Sequence, residues 1–212
     1  MSLFAIGSSS TGMETEQTII DLIRHGEPVG GLLIRGQRND PLSATGWRQM
    51  RGAVEGCTGW QRVITSPLLR CAEFAHELAA RLAIPVSEEA AVAEIGFGQW
   101  EGVKPAELLA RQPQAYQAFW ENPADFTPPG GEPLAEFQAR VVTALERIVQ
   151  RHCGEHLLIV AHGGVIRMMV AHVLGMPAGN MFRMDVPYAG LSRIRVERGV
   201  ARLSFHCGQP QP

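Results

Sequence analysis

The sequence predicts an α/β fold, a three-layer α/β/α sandwich around a mostly parallel central sheet. Three observations carry this prediction. Short apolar runs rich in β-branched residues alternate with longer segments whose apolar positions recur at helical spacing. The runs are apolar on consecutive residues, as expected of strands covered on both faces. Several of them end abruptly in polar clusters punctuated by Gly or Pro, and it is beyond the carboxyl ends of such strands that open α/β sheets bind ligands.

The first strand is Thr18-Ile19-Ile20-Asp21-Leu22-Ile23, ending in Arg24-His25-Gly26-Glu27-Pro28. The second, Arg62–Thr65, ends in Ser66-Pro67. Leu68 to Leu82 then places Leu68, Leu69, Ala72, Ala75, Leu78, Ala79 and Leu82 at helical spacing, with Pro67 near the start. A third strand is read at Ile84-Pro85-Val86, before the glycine-punctuated stretch Glu94 to Gly102. From Pro105 to Trp120 the pattern is again helical, followed by a Pro/Gly loop from Pro123 to Pro133. Leu134 to Val149 is the cleanest amphipathic helix, with Phe137, Val141, Ala144, Leu145 and Ile148 on one face. The most hydrophobic strand, Leu157–Val160, ends in Ala161-His162-Gly163-Gly164, and Val165 to Leu174 reads as a further helix. The tail from Asn180 to Cys207 is expected to form short β segments.

The 212 residues suit one domain, expected over 13–212 with a lid-like insertion at about 102–133. Residues 1–12, ending in a Ser/Thr/Gly run just before Met13, read as a disordered leader or added extension. With 19 Lys+Arg against 21 Asp+Glu, the chain has no global field to draw it onto nucleic acid or an anionic membrane. No apolar run approaches the roughly 20 residues that span a bilayer. Cys57, Cys71, Cys153 and Cys207 form no C-x-x-C pair, which argues for reduced thiols and a cytoplasmic protein. The seven histidines show no H-E-x-x-H or H-x-x-x-H on a helix; His152 and His156 are four apart, but Gly154 between them marks a helix end. No metal or cofactor is expected, and His76, His172 and His206 are read as structural.

Any anion must therefore meet a local cluster, and the strand ends supply one in Arg24-His25, Arg70 and His162. Two guanidinium forks match phosphate oxygens and offset most of a dianion's charge. Helix starts after Ser66-Pro67 and after His162-Gly163-Gly164 add backbone N–H donors. A neutral imidazole in line with phosphorus attacks without being repelled by the phosphoryl oxygens, and the departing alcohol needs a proton that a carboxylic acid supplies.

These motifs resemble the histidine phosphatase superfamily, in its phosphoglycerate mutase-like branch. Arg24-His25-Gly26-Glu27 resembles the family signature, Ser66-Pro67-Leu68-Leu69-Arg70 its Ser-Pro-x-x-Arg element, and Ala161-His162-Gly163-Gly164 its second histidine motif. Glu94 with Gly98-Gln99-Trp100-Glu101-Gly102 is similar to the segment carrying the family's acid. The resemblance runs from about Ile19 to about Arg195. It implies a metal-independent phosphomonoester hydrolase with His25 as the nucleophile that forms a phosphohistidine. Arg24, Arg70 and His162 would hold the phosphoryl group, and Glu94 would be the proton donor, ahead of Glu101 and Glu27. Arg35, Gly36, Gln37 and Gly163 are the implied substrate contacts. Where many members carry a phosphate-binding asparagine, this chain has Gly31, with Arg35 as a candidate replacement.

The expected partner is a small phosphorylated metabolite. The chain's short length favours hydrolysis over a mutase reaction. Tyr116, Phe119, Trp120 and Phe126 either form an apolar lid over a heteroaromatic base, as in the alpha-ribazole 5′-phosphate of cobalamin assembly, or pack into the core. A phosphoglycerate mutase-like enzyme or a broad-specificity sugar phosphatase is the alternative enzyme, and a non-catalytic phospho-ligand binding domain the alternative of another class. The strand-like tail beyond Val186 leaves a homodimer open.

Overall fold

The computed structural model of the chain describes residues 17–208. The expected leader at 1–12 lies outside them. A six-stranded sheet runs in the order β3-β2-β4-β1-β5-β6, with β1 (Thr18–Arg24), β2 (Arg62–Thr65), β3 (Val86–Glu88), β4 (His156–Ala161), β5 (Leu191–Glu197) and β6 (Val200–Gly208). The β1–β4, β4–β2 and β2–β3 pairs are parallel, while β5 is antiparallel to both β1 and β6.

Consecutive apolar residues in the strands serve two cores. Ile20, Leu22, Leu157 and Ile159 pack with α5 (Leu134–Arg151) and α6 (Gly163–Val173), whereas Ile23, Val63, Leu158 and Val160 pack with α1 (Ala44–Ala53) and α2 (Leu69–Leu82). Both faces are thus covered by helices, which is the predicted three-layer arrangement. The polar residue in the first strand has its own solution. Asp21 is fully buried and accepts from Arg193 Nε (2.7 Å) and Nη2 (2.9 Å) and from Trp60 Nε1 (2.8 Å), and it pairs with His156 Nε2 at 2.9 Å. Burial pushes its carboxyl up, but the bonds from Arg193, His156 and Trp60 outweigh that and hold it below the usual carboxylate range.

Three local expectations are refined or shifted. Pro105 to Trp120 is two helices, α3 (Pro105–Arg111) and α4 (Pro113–Glu121), because Pro113 has no N–H to continue the first and instead opens the second. The third strand shifts forward from Ile84 to Val86–Glu88. Ala83, in the left-handed region, closes α2, and Pro85 contributes only its carbonyl, to Val63 N. Ala178–Arg183 is a 3₁₀ turn after Pro177, so the β structure of the tail is confined to the β5–β6 hairpin, whose Arg198-Gly199 turn has positive φ at both residues.

The functional consequence is that β2, β4 and β1 are neighbours whose carboxyl ends align. Arg24 is in register with Ala161, and Thr65 with Val160. The ladder continues one residue further through His25 N to Ala161 O and Ser66 N to Val160 O, both 3.0 Å. The turn after β1 packs against the start of α1 where only two glycines fit: a Cβ on Gly26 would overlap the carbonyl of Gly46.

Candidate active site

A cavity of about 190 Å³ opens at these strand ends. Its polar wall contains Arg24, His25, Arg70, Glu94 and Arg167, and its apolar wall contains Leu33, Ile95, Phe97, Trp120 and Phe182. His25 is 4% exposed, and its Nδ1 lies 2.7 Å from the carbonyl of Gly26. A carbonyl only accepts, so Nδ1 carries the proton and Nε2 the lone pair. Burial, reinforced by Arg70 and Arg24, holds the imidazole well below its usual range, so it is neutral at neutral pH.

The arginines are held by backbone carbonyls. Arg70, on the first turn of α2, donates Nη1 to Arg38 O and Nη2 to Gly36 O, each at 2.6 Å. Arg24 donates Nη1 to Val186 O at 2.6 Å and lies 4.3 Å over the Tyr188 ring. The Nε groups of both are buried and have no hydrogen-bond partner among the described residues. Burial lowers both guanidiniums, yet they remain cations. Two buried charge-bearing donors beside a neutral imidazole are arranged to receive a multiply charged oxyanion.

His162, fully buried at the start of α6, stands edge-on to His25 with ring centroids 5.2 Å apart and meets Ser66 Oγ at 2.7 Å. It is behind the cavity wall, and burial, then Arg70, His25 and Arg24, keep it neutral too. Cys71 touches the same ring, but burial pushes its thiol up to about 12, so it is no nucleophile at neutral pH. Glu94 lies between β3 and α3, with its carboxylate accepting from Ile95 N and, across the site, from Gly164 N, both at 3.1 Å.

The other carboxylates are engaged away from the cavity. Glu101 Oε1 accepts from Gln37 N and Phe97 N, and Glu27 Oε1 accepts from Ser43 Oγ. Gly36 and Gly163 line the cavity, whereas Gln37 does not; its side chain lies outside, against Glu94 O. Arg35 lines it but spends Nη2 on Val29 O and Gly31 O (2.6 Å each), securing the loop in which Gly31 stands. Of the four aromatics between residues 102 and 133 only Trp120 reaches the cavity; Phe119 is core, Phe126 stacks on Trp100, and Tyr116 packs edge-on to Trp120. Arg167 and Tyr188 were missed in the sequence. Arg167 had a signal, being the one charged residue in an apolar helix, one turn beyond Gly163. Among the described residues no three of His, Cys, Asp and Glu converge as a metal site.

A model of the histidine phosphatase superfamily (branch 1) matches residues 20–207. The chain belongs to the histidine phosphatase superfamily. It is 33% identical over 188 residues to a bifunctional protein of Mycobacterium tuberculosis, covering 86% of this chain and 51% of the relative; the chain thus spans about half the length of that protein. It is 32% identical over 173 residues to a metal-independent phosphoserine phosphatase of Arabidopsis thaliana, covering 78% and 73% of the two chains. The alpha-ribazole phosphatase from Shigella flexneri superposes with a TM-score of 0.79 at 27% identity, covering 90% of this chain and 96% of that one. The family has the phosphoglycerate mutase-like fold expected from the motifs.

Proposed function

We propose that this histidine phosphatase domain hydrolyses phosphomonoesters without a metal, through a phosphohistidine on His25. The carrying observation is the neutral His25, its Nδ1–H fixed on Gly26 O and its Nε2 lone pair available, beside the unpartnered Nε donors of Arg24 and Arg70. Nε2 attacks phosphorus, and the bond to the ester oxygen breaks while Arg24 and Arg70 hold the non-bridging oxygens. Glu94 gives its proton to the departing oxygen. In the second half Glu94 takes a proton from water, the water oxygen bonds to phosphorus, the N–P bond breaks, and phosphate leaves. His162 braces His25 from behind the cavity wall; the family resemblance implies a direct phosphoryl contact for it, which this position does not give it. The arginines supply the charge stabilisation that a metal would otherwise give.

For the substrate we favour an alcohol with a flat apolar portion, such as alpha-ribazole 5′-phosphate. The wall of Ile95, Phe97, Trp120 and Phe182 and the likeness to an alpha-ribazole phosphatase support that reading. Residues 102–133, which carry Pro105 and Trp120 to the cavity, then act as its lid. A second reading, a phosphorylated acid such as phosphoserine, draws on Arg167. Its Nε is held by Met184 O (2.8 Å), and it adds a cation to the cavity beyond the two that face the phosphoryl group. Four unpaired cysteines, among them the buried Cys71, suit a cytoplasmic protein; no helix among the described residues is long and apolar enough to cross a membrane.

The test is hydrolysis of p-nitrophenyl phosphate in EDTA by wild type and His25→Ala, followed by alpha-ribazole 5′-phosphate and phosphoserine. EDTA-resistant turnover that vanishes with His25 is expected. Activity that needs a divalent ion, or that survives in His25→Ala, overturns the proposal. The two natural substrates then separate the two readings.

A further inference from the structure

Behind Glu94, outside the cavity wall, lies an ion pair that the phosphohistidine chemistry does not use. Glu132, at the end of the Pro/Gly loop, and Arg140, on α5, are joined by two hydrogen bonds: Nε to Oε1 at 2.6 Å and Nη2 to Oε2 at 2.8 Å. The remaining valences of the pair all go to the segment bearing Glu94. Arg140 Nη1 donates to Ala91 O and Ala93 O (2.8 Å each), and Nη2 donates to Glu94 O at 3.0 Å. Glu132 Oε2 accepts from Gly96 N at 3.1 Å. Every residue from 91 to 96 except Val92 and Ile95 is therefore held by this one pair. Ala91 and Val92 close a 3₁₀ turn, Val92 and Ile95 are anchored in the core, and Gly96 O accepts from Glu132 N at 2.8 Å, but residues 93–96, Glu94 among them, belong to no strand or helix. Both partners are largely withdrawn from water, at 23% and 15% exposure, and Arg140 also packs over Phe137.

We propose that Arg140 and Glu132 are positioning residues for the proton donor, fixing the backbone of Glu94 so that its carboxylate meets the departing oxygen. A guanidinium fork is suited to this because it offers several N–H donors in one rigid plane, where a lysine offers one flexible point charge. The inference rests on Glu94 being the acid.

The test is the dependence of kcat/KM on the acidity of the leaving group, measured from alkyl phosphates through phenyl phosphate to 2,4-dinitrophenyl phosphate. An ester whose leaving group departs as a stable anion needs no proton, so loss of the donor slows the poor leaving groups selectively. General acid catalysis is worth about 10²–10⁴-fold. Arg140→Lys should therefore lose at least about tenfold on alkyl phosphates and under about threefold on the dinitrophenyl ester. Glu132→Gln, the milder change, should tilt the profile in the same direction. A loss of folded protein would lower all substrates alike and leave the slope unchanged.

Arg147→Gln is the control: it removes another α5 arginine that pairs with Glu89 in the neighbouring turn, without reaching Glu94. Glu94→Gln sets the steep limit. A steep Glu94→Gln profile beside wild-type slopes in both Arg140→Lys and Glu132→Gln overturns the positioning proposal alone. If Glu94→Gln itself keeps the wild-type slope, the assignment of the acid has failed instead.

Discussion

Gly164→Ala tests the site where the start of α6 crowds Glu94. An alanine Cβ built there would lie 2.3 Å from Glu94 Oε1 and 3.5 Å from the Phe137 ring. Carbon and oxygen atoms rest at about 3.3–3.5 Å, so the carboxylate must retreat by about 1 Å. The obstructing atom is the tip of a flexible side chain, so the fold accommodates the change at small cost. A misplacement of about 1 Å costs on the order of 10²-fold in rate, equivalent to about 2.7 kcal/mol of transition-state stabilisation. We expect Gly164→Ala to melt close to the wild type and to lose about two orders of magnitude in kcat/KM on alkyl phosphates, with a smaller loss on p-nitrophenyl phosphate. Gly163→Ala is the companion, because its Cβ would meet Arg167 Nη1 at 2.8 Å and Arg24 Nε at 3.4 Å while leaving Glu94 untouched, so any loss should fall on all esters alike. A folded Gly164→Ala protein within about threefold of wild type on alkyl phosphates would refute the placement of Glu94 against Gly164 during proton transfer.

Two further outcomes concern the scaffold and its response to pH. Asp21→Asn leaves the largely covered Arg193 without its fully buried counter-charge and should destabilise the protein by about 3 kcal/mol in urea unfolding; a loss below about 1 kcal/mol would show that the pair is dispensable. His25 and His162 both titrate well below 6.5 in the folded protein, so below that pH the unfolded chain binds more protons than the fold does. Stability should be fully present above about pH 6.5 and fall as pH drops beneath it, by up to about 1.4 kcal/mol per pH unit for each histidine. A urea midpoint series between pH 8 and 5 checks this, and replacing both histidines should flatten the decline.

Much of the site was legible because its residues adjoin strand ends. Arg24-His25, Ser66 and His162 each follow a short apolar run within one or two residues, and parallel pairing of β2, β4 and β1 is enough to bring them together. What supports them was not legible, since it depends on distant chain meeting the site. Arg140 lies 46 residues from the Glu94 carbonyl it holds, and Tyr188 reaches Arg24 from the far end of the sequence. Asp21 read as an interruption in an apolar strand because its partner, Arg193, is 172 residues away. The aromatic cluster shows the limit of composition: four rings from one segment were visible, yet only packing decides that Trp120 faces the cavity and Phe119 the core.

The central claim is a covalent bond between phosphorus and His25 Nε2, and a direct measurement is to trap it. Glu94→Gln should accumulate the intermediate from ³²P-labelled dinitrophenyl phosphate, since the first step then needs no proton while the second still lacks its base. Quenching into alkali should yield about one label per chain, mapping to His25, stable in base, lost in acid, and absent from His25→Ala. Turnover by the wild type with no label on His25, or a label that survives acid or maps to another residue, would contradict it.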